Sequence, residues 1–353
     1  MDVSVKLDVS LKGISRTPAK RPPTIPQQQP ARELSSPRSG RSAAATAPRN
    51  DPFMLPADLP RLPGRSTQTS KYDYGRVVVV GGSAGMAGAP GLAAMAALRS
   101  GAGLVEAVVP EQVVTIVSGF DPCVMTHGLP GRSDGTFATD ALGLIESLAG
   151  RADAVAIGPG LGRSDAVVQI VSHLWRHLPQ PAIFDADALW ALAVRSHAAG
   201  DRGDLSSHAG PRILTPHAGE MLRLLGADRS SGLGEDRSLL EREAVALAAG
   251  IDAVILLKGP ATLVADRTRQ IHNATGNPGM ATAGTGDVLT GVTAALVAQR
   301  LPPFDAARLA AWVHGRAGDV AAAEFGRVSM TASDLLSRLH VAFREVTGEL
   351  PPG

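Results

Sequence analysis

A glycine-rich turn followed by an aspartate is the part of this sequence that most clearly suggests chemistry. Gly284, Thr285 and Gly286 stand directly before Asp287, and an apolar, helix-forming stretch follows. Backbone N–H groups at a helix start have no acceptor within the helix and lie at the positive end of its dipole, so they bind anions. Glycine keeps those amides open to an oxyanion. A carboxylate beside them could take a proton from a hydroxyl while the amides hold a phosphoryl group.

Two interpretations of Asp287 are open from the residues alone. It is either a general base, kept ionised by the helix dipole, or a helix-capping aspartate, which is a common residue at that position. Capping does not require the glycines that precede it, so we favour the base, with Gly284, Thr285 and Gly286 as the anion hole.

A single lysine stands out in the second half of the chain. Lys258 is the only lysine after Lys71, in a sequence that otherwise uses arginine for positive charge. A flexible point charge at the end of a strand suits a phosphate. The alternative is a solvent-exposed lysine with no ligand.

The two common nucleotide signatures do not occur. "GPGLGRSD" and "GTGDVL" do not have the spacing of GxGxxG, and the chain contains no Gly-Lys pair for GxxxxGK[ST]. Dinucleotide-binding Rossmann and P-loop folds are therefore not favoured.

The elements that must position these residues alternate between strand and helix from residue 71 onward. Apolar strands without polar alternation indicate an α/β fold, in which a mostly parallel central sheet has helices on both faces. Ligands bind such sheets at the carboxyl ends of strands, where the glycine and polar loops of this chain collect. Strands are predicted at 76–82, 104–110, 153–160, 181–187, 212–217 and 253–259, followed by a short antiparallel pair, and helices near 90–100, 111–119, 164–177, 187–196, 217–225, 238–249, 286–299, 304–323 and 331–345.

Composition limits the possible partners. Residues 1–50 carry a net charge of +6 and the rest of the chain about −5, so the folded part has no basic excess for nucleic acid. The single cysteine, Cys123, is expected to be a small buried side chain and rules out an internal disulfide or a cysteine zinc cluster. No apolar run is long enough for a membrane span and no signal peptide is evident, so we expect a cytoplasmic protein.

The first 70 residues differ from the rest. They hold 11 of the 26 prolines, and we expect residues 1–70 to be a disordered Pro/Arg-rich tail ahead of one folded domain at 71–347. Met54 offers an alternative start. We expect the tail to be solvated rather than a binding arm.

Six ordered motifs resemble one family. The GTGD turn is similar to that of the ribokinase-like superfamily, and the longer "NATGNPGMATAGTGDVLTG" resembles its ADP- or ATP-dependent NAD(P)H-hydrate dehydratases. "GGSAGMAGAPGLAAMAALRSGAGLV", "IGPGLG", "DADAL", "LTPHAGE" and "LKGPAT" stand in the family's order, and the likeness covers about residues 74–345. It implies a ribokinase-like fold.

The resemblance also implies a reaction. Members repair NADH or NADPH hydrated at carbon 6: ADP or ATP, with Mg²⁺, phosphorylates the 6-hydroxyl of the S epimer, and phosphate then leaves. Such an enzyme is a hydro-lyase. The family forms homo-oligomers, with tetramers expected. Many members carry an epimerase domain, which residues 1–70 cannot encode, so we expect a separate epimerase.

Site residues are carried over from the matching motifs. The resemblance implies Asp287 as the base, and Glu220 as a residue that organises Mg²⁺ through water, although an ordinary first-turn glutamate is the alternative. Ala89, Gly160, His217 and Asp287 are expected to contact the hydrated dinucleotide. The nucleotide is expected to contact Lys258, Gly259, Pro260, Ala261, Thr262 and Gly286.

The sequence departs from the family pattern at Trp190, Met86 and Ala283, where Asn, an aromatic residue and Gly are usual. Two rival functions remain open. One is a ribokinase-like kinase acting on a thiamine or pyridoxal precursor, which would accumulate a phosphorylated product. The other is a non-catalytic nucleotide-binding module, which would need neither Asp287 nor the glycine turn.

Overall fold

A computed structural model gives the fold of residues 55–198, 205–227 and 232–349. The predicted tail at 1–70 therefore lies mostly outside the described residues, and its disorder stays a prediction. Among the described residues, no helix has the length and apolar content needed to cross a membrane.

A nine-stranded sheet forms the centre of the domain, in the order β3-β2-β1-β4-β5-β6-β7-β8-β9. The first seven strands are parallel, and β8 and β9 are added antiparallel at one edge. The predicted α/β architecture and the final antiparallel pair are confirmed. The strands are β1 (Arg76–Val80), β2 (Leu104–Pro110), β3 (Met125–Leu129), β4 (Ala154–Ile157), β5 (Ala182–Phe184), β6 (Arg212–Leu214), β7 (Val254–Leu257), β8 (Leu263–Ala265) and β9 (Gln270–His272).

Helices cover both faces of the sheet, as the apolar strands predict. One face packs on α1, α2, α8, α9 and α10, and the other on α3 to α7. The described α-helices are α1 (Gly88–Arg99), α2 (Val114–Ser118), α3 (Leu142–Ala149), α4 (Asp165–His177), α5 (Asp187–Ala198), α6 (Ala218–Leu224), α7 (Arg237–Ile251), α8 (Thr285–Ala298), α9 (Pro303–Phe325) and α10 (Ala332–Thr347).

The two apolar faces of β1 show how the core is divided. Val77 and Val79 face the layer that contains α8, whereas Val78 and Val80 face the layer that contains α4. Because successive side chains of a strand point to opposite faces, a run of valines buries both. The carboxyl end of β1 lies where strand order reverses between β1 and β4, a usual place for a ligand site in such sheets.

Helix α8, which begins at the glycine turn, packs unusually close to α1. A Cβ at Gly291 would overlap the carbonyl oxygen of Ala93, so only glycine permits this approach. The contact fixes α8 against the sheet and thereby sets the place of its first turn.

Residues 55–70 form neither helix nor strand but contact the domain. Leu59 is buried, Asp58 pairs with Arg308 at 2.7 Å, and Arg65 donates a hydrogen bond to the carbonyl oxygen of Gly101 at 2.6 Å. The expectation of a buried Cys123 is wrong. The residue is exposed and lies in the loop between α2 and β3.

Candidate active site

The carboxyl ends of the parallel strands bring the predicted loops to one edge of the sheet. The loop after β1 contacts the loop after β4, since the Ser83 hydroxyl donates to the carbonyl oxygen of Gly160 at 2.9 Å. The loop after β4 contacts that after β5, where Asp187 accepts from the amide of Gly162 at 3.0 Å. Lys258, directly after β7, donates to Asp185, directly after β5. The first turn of α8 lies beside these loops.

The glycine turn forms an open helix start. Gly284 is the N-cap of α8 with φ of 91°, and a Cβ there would lie 2.8 Å from a methyl carbon of Leu92. Glycine is therefore required both by the backbone and by the space. No side chain caps the helix, so the amides of Thr285, Gly286 and Asp287 are free of acceptors among the described residues.

Asp287 is the third residue of the helix and not its cap. Burial and the neighbouring Asp185 carboxylate raise its pKa to about 7, although the ammonium of Lys258 opposes the shift. The expectation of a carboxylate kept ionised by the helix dipole is therefore wrong. At neutral pH the protonated and ionised forms of the Asp287 carboxyl are both populated. A general base works best when its pKa lies near the working pH.

Lys258 is held by Asp185, a carboxylate that was not predicted as part of the site. Its Nζ donates to Oδ1 of Asp185 at 2.7 Å, and the other oxygen of Asp185 accepts from the Thr290 hydroxyl at 2.8 Å. Burial opposes protonation of Lys258, but the carboxylates of Asp185, Glu220 and Asp287 outweigh it and raise its pKa. The lysine is thus a fixed cation inside the site.

Gly286 allows this cation to approach the helix start. A Cβ at Gly286 would lie 3.3 Å from Nζ of Lys258. The ammonium and the open amides are therefore adjacent, and an anion bound to the amides would also meet the positive charge of Lys258.

The rest of the "KGPAT" segment is a turn at the rim. Gly259, Pro260 and Ala261 are exposed, and Thr262 is half-buried. Arg237 supports the turn by donating to the carbonyl oxygen of Lys258 at 3.2 Å.

His217 and Glu220 lock the start of α6. His217 is its N-cap: Nδ1 accepts from the amides of Gly219 and Glu220, and the amide of His217 donates to Oε2 of Glu220 at 2.8 Å. The same oxygen of Glu220 lies 3.7 Å from Nζ of Lys258. The imidazole is more than half exposed, so its outer edge faces solvent at the site.

Ala89 and Gly160 meet at the switch point between β1 and β4. Gly160 has φ of 64°, and a Cβ there would lie 3.1 Å from that of Ala89. The structure therefore places these two predicted substrate contacts next to each other. Met86 also lies beside Gly160. Ala283 is exposed, and the guanidinium of Arg163 lies 5.6 Å from the ring centre of Trp190.

The first half of the glycine-rich stretch has a structural task. The amide of Gly276 and the side-chain amide of Asn277 donate to the two oxygens of Asp319 at 2.9 and 3.0 Å. Asn273 donates to the carbonyl oxygen of Ala311 at 3.0 Å. These bonds tie residues 273–280 to α9, whereas residues 284–287 form the open helix start.

The acidic side chains of the site do not form a complete set of metal ligands by themselves. Among the described residues, no three His, Cys, Asp or Glu side chains are grouped to hold a metal ion. Glu220 is mostly buried and already accepts a backbone hydrogen bond. Such a carboxylate fits an ion that keeps water and takes most of its ligands from bound phosphates, which is the usual habit of Mg²⁺.

Known proteins resemble this chain over most of the described residues. The model of a family described as NAD(P)H-hydrate dehydratase matches residues 77–340. A bifunctional NAD(P)H-hydrate repair enzyme from Moorella thermoacetica is 47% identical over 292 residues, which are 82% of this chain and 53% of that protein. One from Pyrobaculum aerophilum is 40% identical, over 81% and 54%. The chain thus spans about half the length of these curated relatives.

Two solved structures have a fold similar to that of this chain. An ADP/ATP-dependent NAD(P)H-hydrate dehydratase from Bacillus subtilis, co-crystallised with ATP and Mg²⁺, is 30% identical with a TM-score of 0.66, covering 81% of this chain and 95% of that one. A ribokinase-like superfamily protein from Enterococcus faecalis is 25% identical with a TM-score of 0.67, covering 81% and 92%. The ribokinase-like fold implied by the motifs is confirmed.

Proposed function

Because the chain belongs to the NAD(P)H-hydrate dehydratase family, we propose that it dehydrates the S epimer of NADH or NADPH hydrated at carbon 6, with ADP or ATP as phosphoryl donor. It would then be a hydro-lyase that repairs nicotinamide cofactors. The observation that carries the proposal is Asp287, a carboxyl with a pKa of about 7 beside the open amides of α8 and the ammonium of Lys258.

Asp287 is suited to the first step. Hydroxide is a poor leaving group, whereas phosphate is a good one, so a hydroxyl must first be phosphorylated. The carboxylate accepts the proton of the 6-hydroxyl while the hydroxyl oxygen bonds to the terminal phosphorus, and the bond from that phosphorus to the nucleotide breaks. The electron pair of the ring nitrogen then expels phosphate from carbon 6, and loss of a proton from carbon 5 restores the double bond.

The open amides are suited to the charge that moves. Negative charge develops on the transferring phosphoryl oxygens, and donors fixed in advance stabilise it without reorganising. We assign this role to the amides of Thr285 and Gly286, with the positive φ of Gly284 presenting them. Lys258 would contact the phosphates of the nucleotide from its place on Asp185.

The remaining assignments follow the layout of the loops. Ala89, Gly160 and the exposed edge of His217 would contact the hydrated dinucleotide. The exposed turn from Gly259 to Thr262 would contact the nucleotide, with Gly286. Mg²⁺, held by the phosphates and reached by Glu220 through water, would supply neutralising charge. A homo-oligomer and a cytoplasmic location stay predictions from the sequence.

The test is direct. The purified protein is incubated with hydrated NADH, Mg²⁺ and either ADP or ATP, and both the near-ultraviolet absorbance of the reduced ring and free phosphate are followed. We expect both to rise together, with at least one nucleotide. Asp287→Asn keeps the shape but not the base, and should lower turnover about 10²–10⁴-fold while nucleotide still binds. No absorbance with either nucleotide would refute the dehydratase, and a stable phosphorylated product would indicate a kinase.

A further inference from the structure

One buried titratable side chain beside the site has no part in the reaction described above. His314 lies within α9, is only 9% exposed, and reaches across to the first turn of α8. Its Nε2 lies 2.9 Å from the carbonyl oxygen of Thr285, so this nitrogen carries the proton and donates.

The acceptor of this bond belongs to a peptide unit of the proposed anion hole. The carbonyl of Thr285 and the N–H of Gly286 are the two ends of a single planar amide. The helix sets the plane of this amide, because its carbonyl also accepts the N–H four residues further on, and a second donor held on the oxygen restrains that plane further. This second donor also polarises the amide, which makes the N–H a stronger donor, because hydrogen bonds in a chain reinforce one another.

The side chain of Thr285 is also held in place by hydrogen bonds. The Thr285 hydroxyl lies 3.0 Å from the carbonyl oxygens of both Met280 and Thr282. The side chain thus joins the turn to the helix, and the imidazole alone supplies a side-chain contact to the carbonyl among the described residues.

We propose that His314 is a positioning residue, which aims and strengthens the Gly286 amide toward the phosphoryl group that is transferred. The inference rests on the proposed function, since it needs an anion at that amide during turnover. Burial lowers the pKa of His314 to about 4, so the ring is neutral at the pH of the cell and keeps a single N–H. Its influence therefore passes through the peptide and not through an added charge.

Three substitutions separate aiming from packing. His314→Leu removes the donor while keeping an apolar side chain, His314→Gln keeps an N–H of similar reach, and His314→Asn keeps an N–H that is too short. We expect kcat to fall about 3–10-fold in the Leu and Asn variants, as for the loss of one hydrogen bond, and to return within about 2-fold in the Gln variant. KM for the hydrated cofactor should change little. His340→Leu, an exposed histidine on α10, is the control and should leave kcat unchanged.

A spectroscopic readout keeps the test independent of activity and of folding losses. The chain contains four Thr–Gly peptide bonds, so threonine labelled with ¹³C at its carbonyl and glycine labelled with ¹⁵N give four resolvable amide signals. The Gly286 signal should move in the Leu variant and return in the Gln variant, whether or not the wild-type protein turns over hydrated cofactor. An unmoved Gly286 signal, unchanged kcat in the Leu variant, or equal losses in the Leu and Gln variants would overturn the proposal.

Discussion

Two influences act on the carboxylate of Asp287 in opposite directions. A helix dipole favours a negative charge in the first turn by about 0.3–1 kcal/mol, which is less than one pKa unit. Burial can raise the pKa of a carboxyl by as much as 3–5 units. Burial is the larger effect here, and Asp185 adds to it, so the pKa rises to about 7.

This pKa predicts how activity depends on pH. The base must be ionised to accept a proton, so kcat/KM for the hydrated cofactor should rise with pH and level off above an apparent pKa near 7. Rates measured between about pH 5.5 and 8.5 at fixed nucleotide check this. A residual activity of Asp287→Asn should lack the rising limb. A flat wild-type profile would mean that Asp287 does not titrate in the rate-limiting step.

The ion pair of Lys258 with Asp185 gives a second prediction at the scale of single residues. Lys258→Ala should weaken nucleotide binding far more than binding of the hydrated cofactor, because we propose that the ammonium contacts the phosphates of the nucleotide. It also leaves the Asp185 carboxylate, which is 1% exposed, without its cation. Breaking a buried pair costs about 3–5 kcal/mol.

The double variant separates the two effects. Adding Asp185→Asn to Lys258→Ala removes the unpaired charge, so thermal stability should recover while nucleotide affinity does not. Calorimetry of nucleotide binding and thermal melts of the single and double variants measure both. Equal losses of affinity for nucleotide and hydrated cofactor would exclude Lys258 as a phosphate contact.

Among the elements, the sequence predicted those with a strong apolar pattern. Six of the seven parallel strands, all except β3, and most of the helices are buried apolar runs. Such runs can be predicted from the sequence without knowledge of tertiary contacts. The strand β3 and the helix α3 were missed. Met125–Leu129 is a half-exposed edge strand containing histidine and glycine, and Leu142–Ala149 is a short helix without a capping side chain. Neither has a local pattern that distinguishes it from a loop.

The site was predictable to the same degree. The GTGD turn can be recognised in the sequence, because helix capping alone does not require the glycines that precede Asp287. Asp185 was missed as the partner of Lys258, and Thr290 as the partner of Asp185, since residues 73 and 105 positions apart meet only in the folded domain. Sequence spacing carries no signal for such a contact.

The close approach of α8 to α1 predicts how a substitution at Gly291 changes the stability of the domain. Gly291→Ala should lower the stability by about 1–3 kcal/mol, because the added methyl overlaps the Ala93 carbonyl and pushes α8 away. Gly250→Ala is the matched control: it lies in α7, is exposed, and has nothing within 4 Å of its Cβ position. This variant should gain about 0.5–1 kcal/mol. Denaturant unfolding measures both, and a neutral Gly291→Ala would show that the helices can separate freely.

At the scale of the whole molecule, two truncations test the division of the chain. Deleting residues 1–53 should leave turnover and melting temperature unchanged, because no residue of the proposed site lies there. Deleting residues 1–70 also removes the burial of Leu59 and the ion pair of Asp58 with Arg308. We expect this longer deletion to cost about 2–3 kcal/mol. Loss of activity in a folded protein lacking only residues 1–53 would assign that segment a role.

The raised pKa of Asp287 also links proton binding to the folding of the domain. In the unfolded chain this carboxyl has its ordinary pKa of 3.8, whereas in the folded chain the value is about 7. Between these values the folded state binds the extra proton, so this group makes the protein less stable as pH rises, with no further loss above the folded pKa. Asp287→Asn should therefore melt a few degrees higher than the wild type at alkaline pH, and the difference should shrink toward pH 4. The carboxyl that we propose as the base is then one whose replacement should let the protein withstand more heat at alkaline pH.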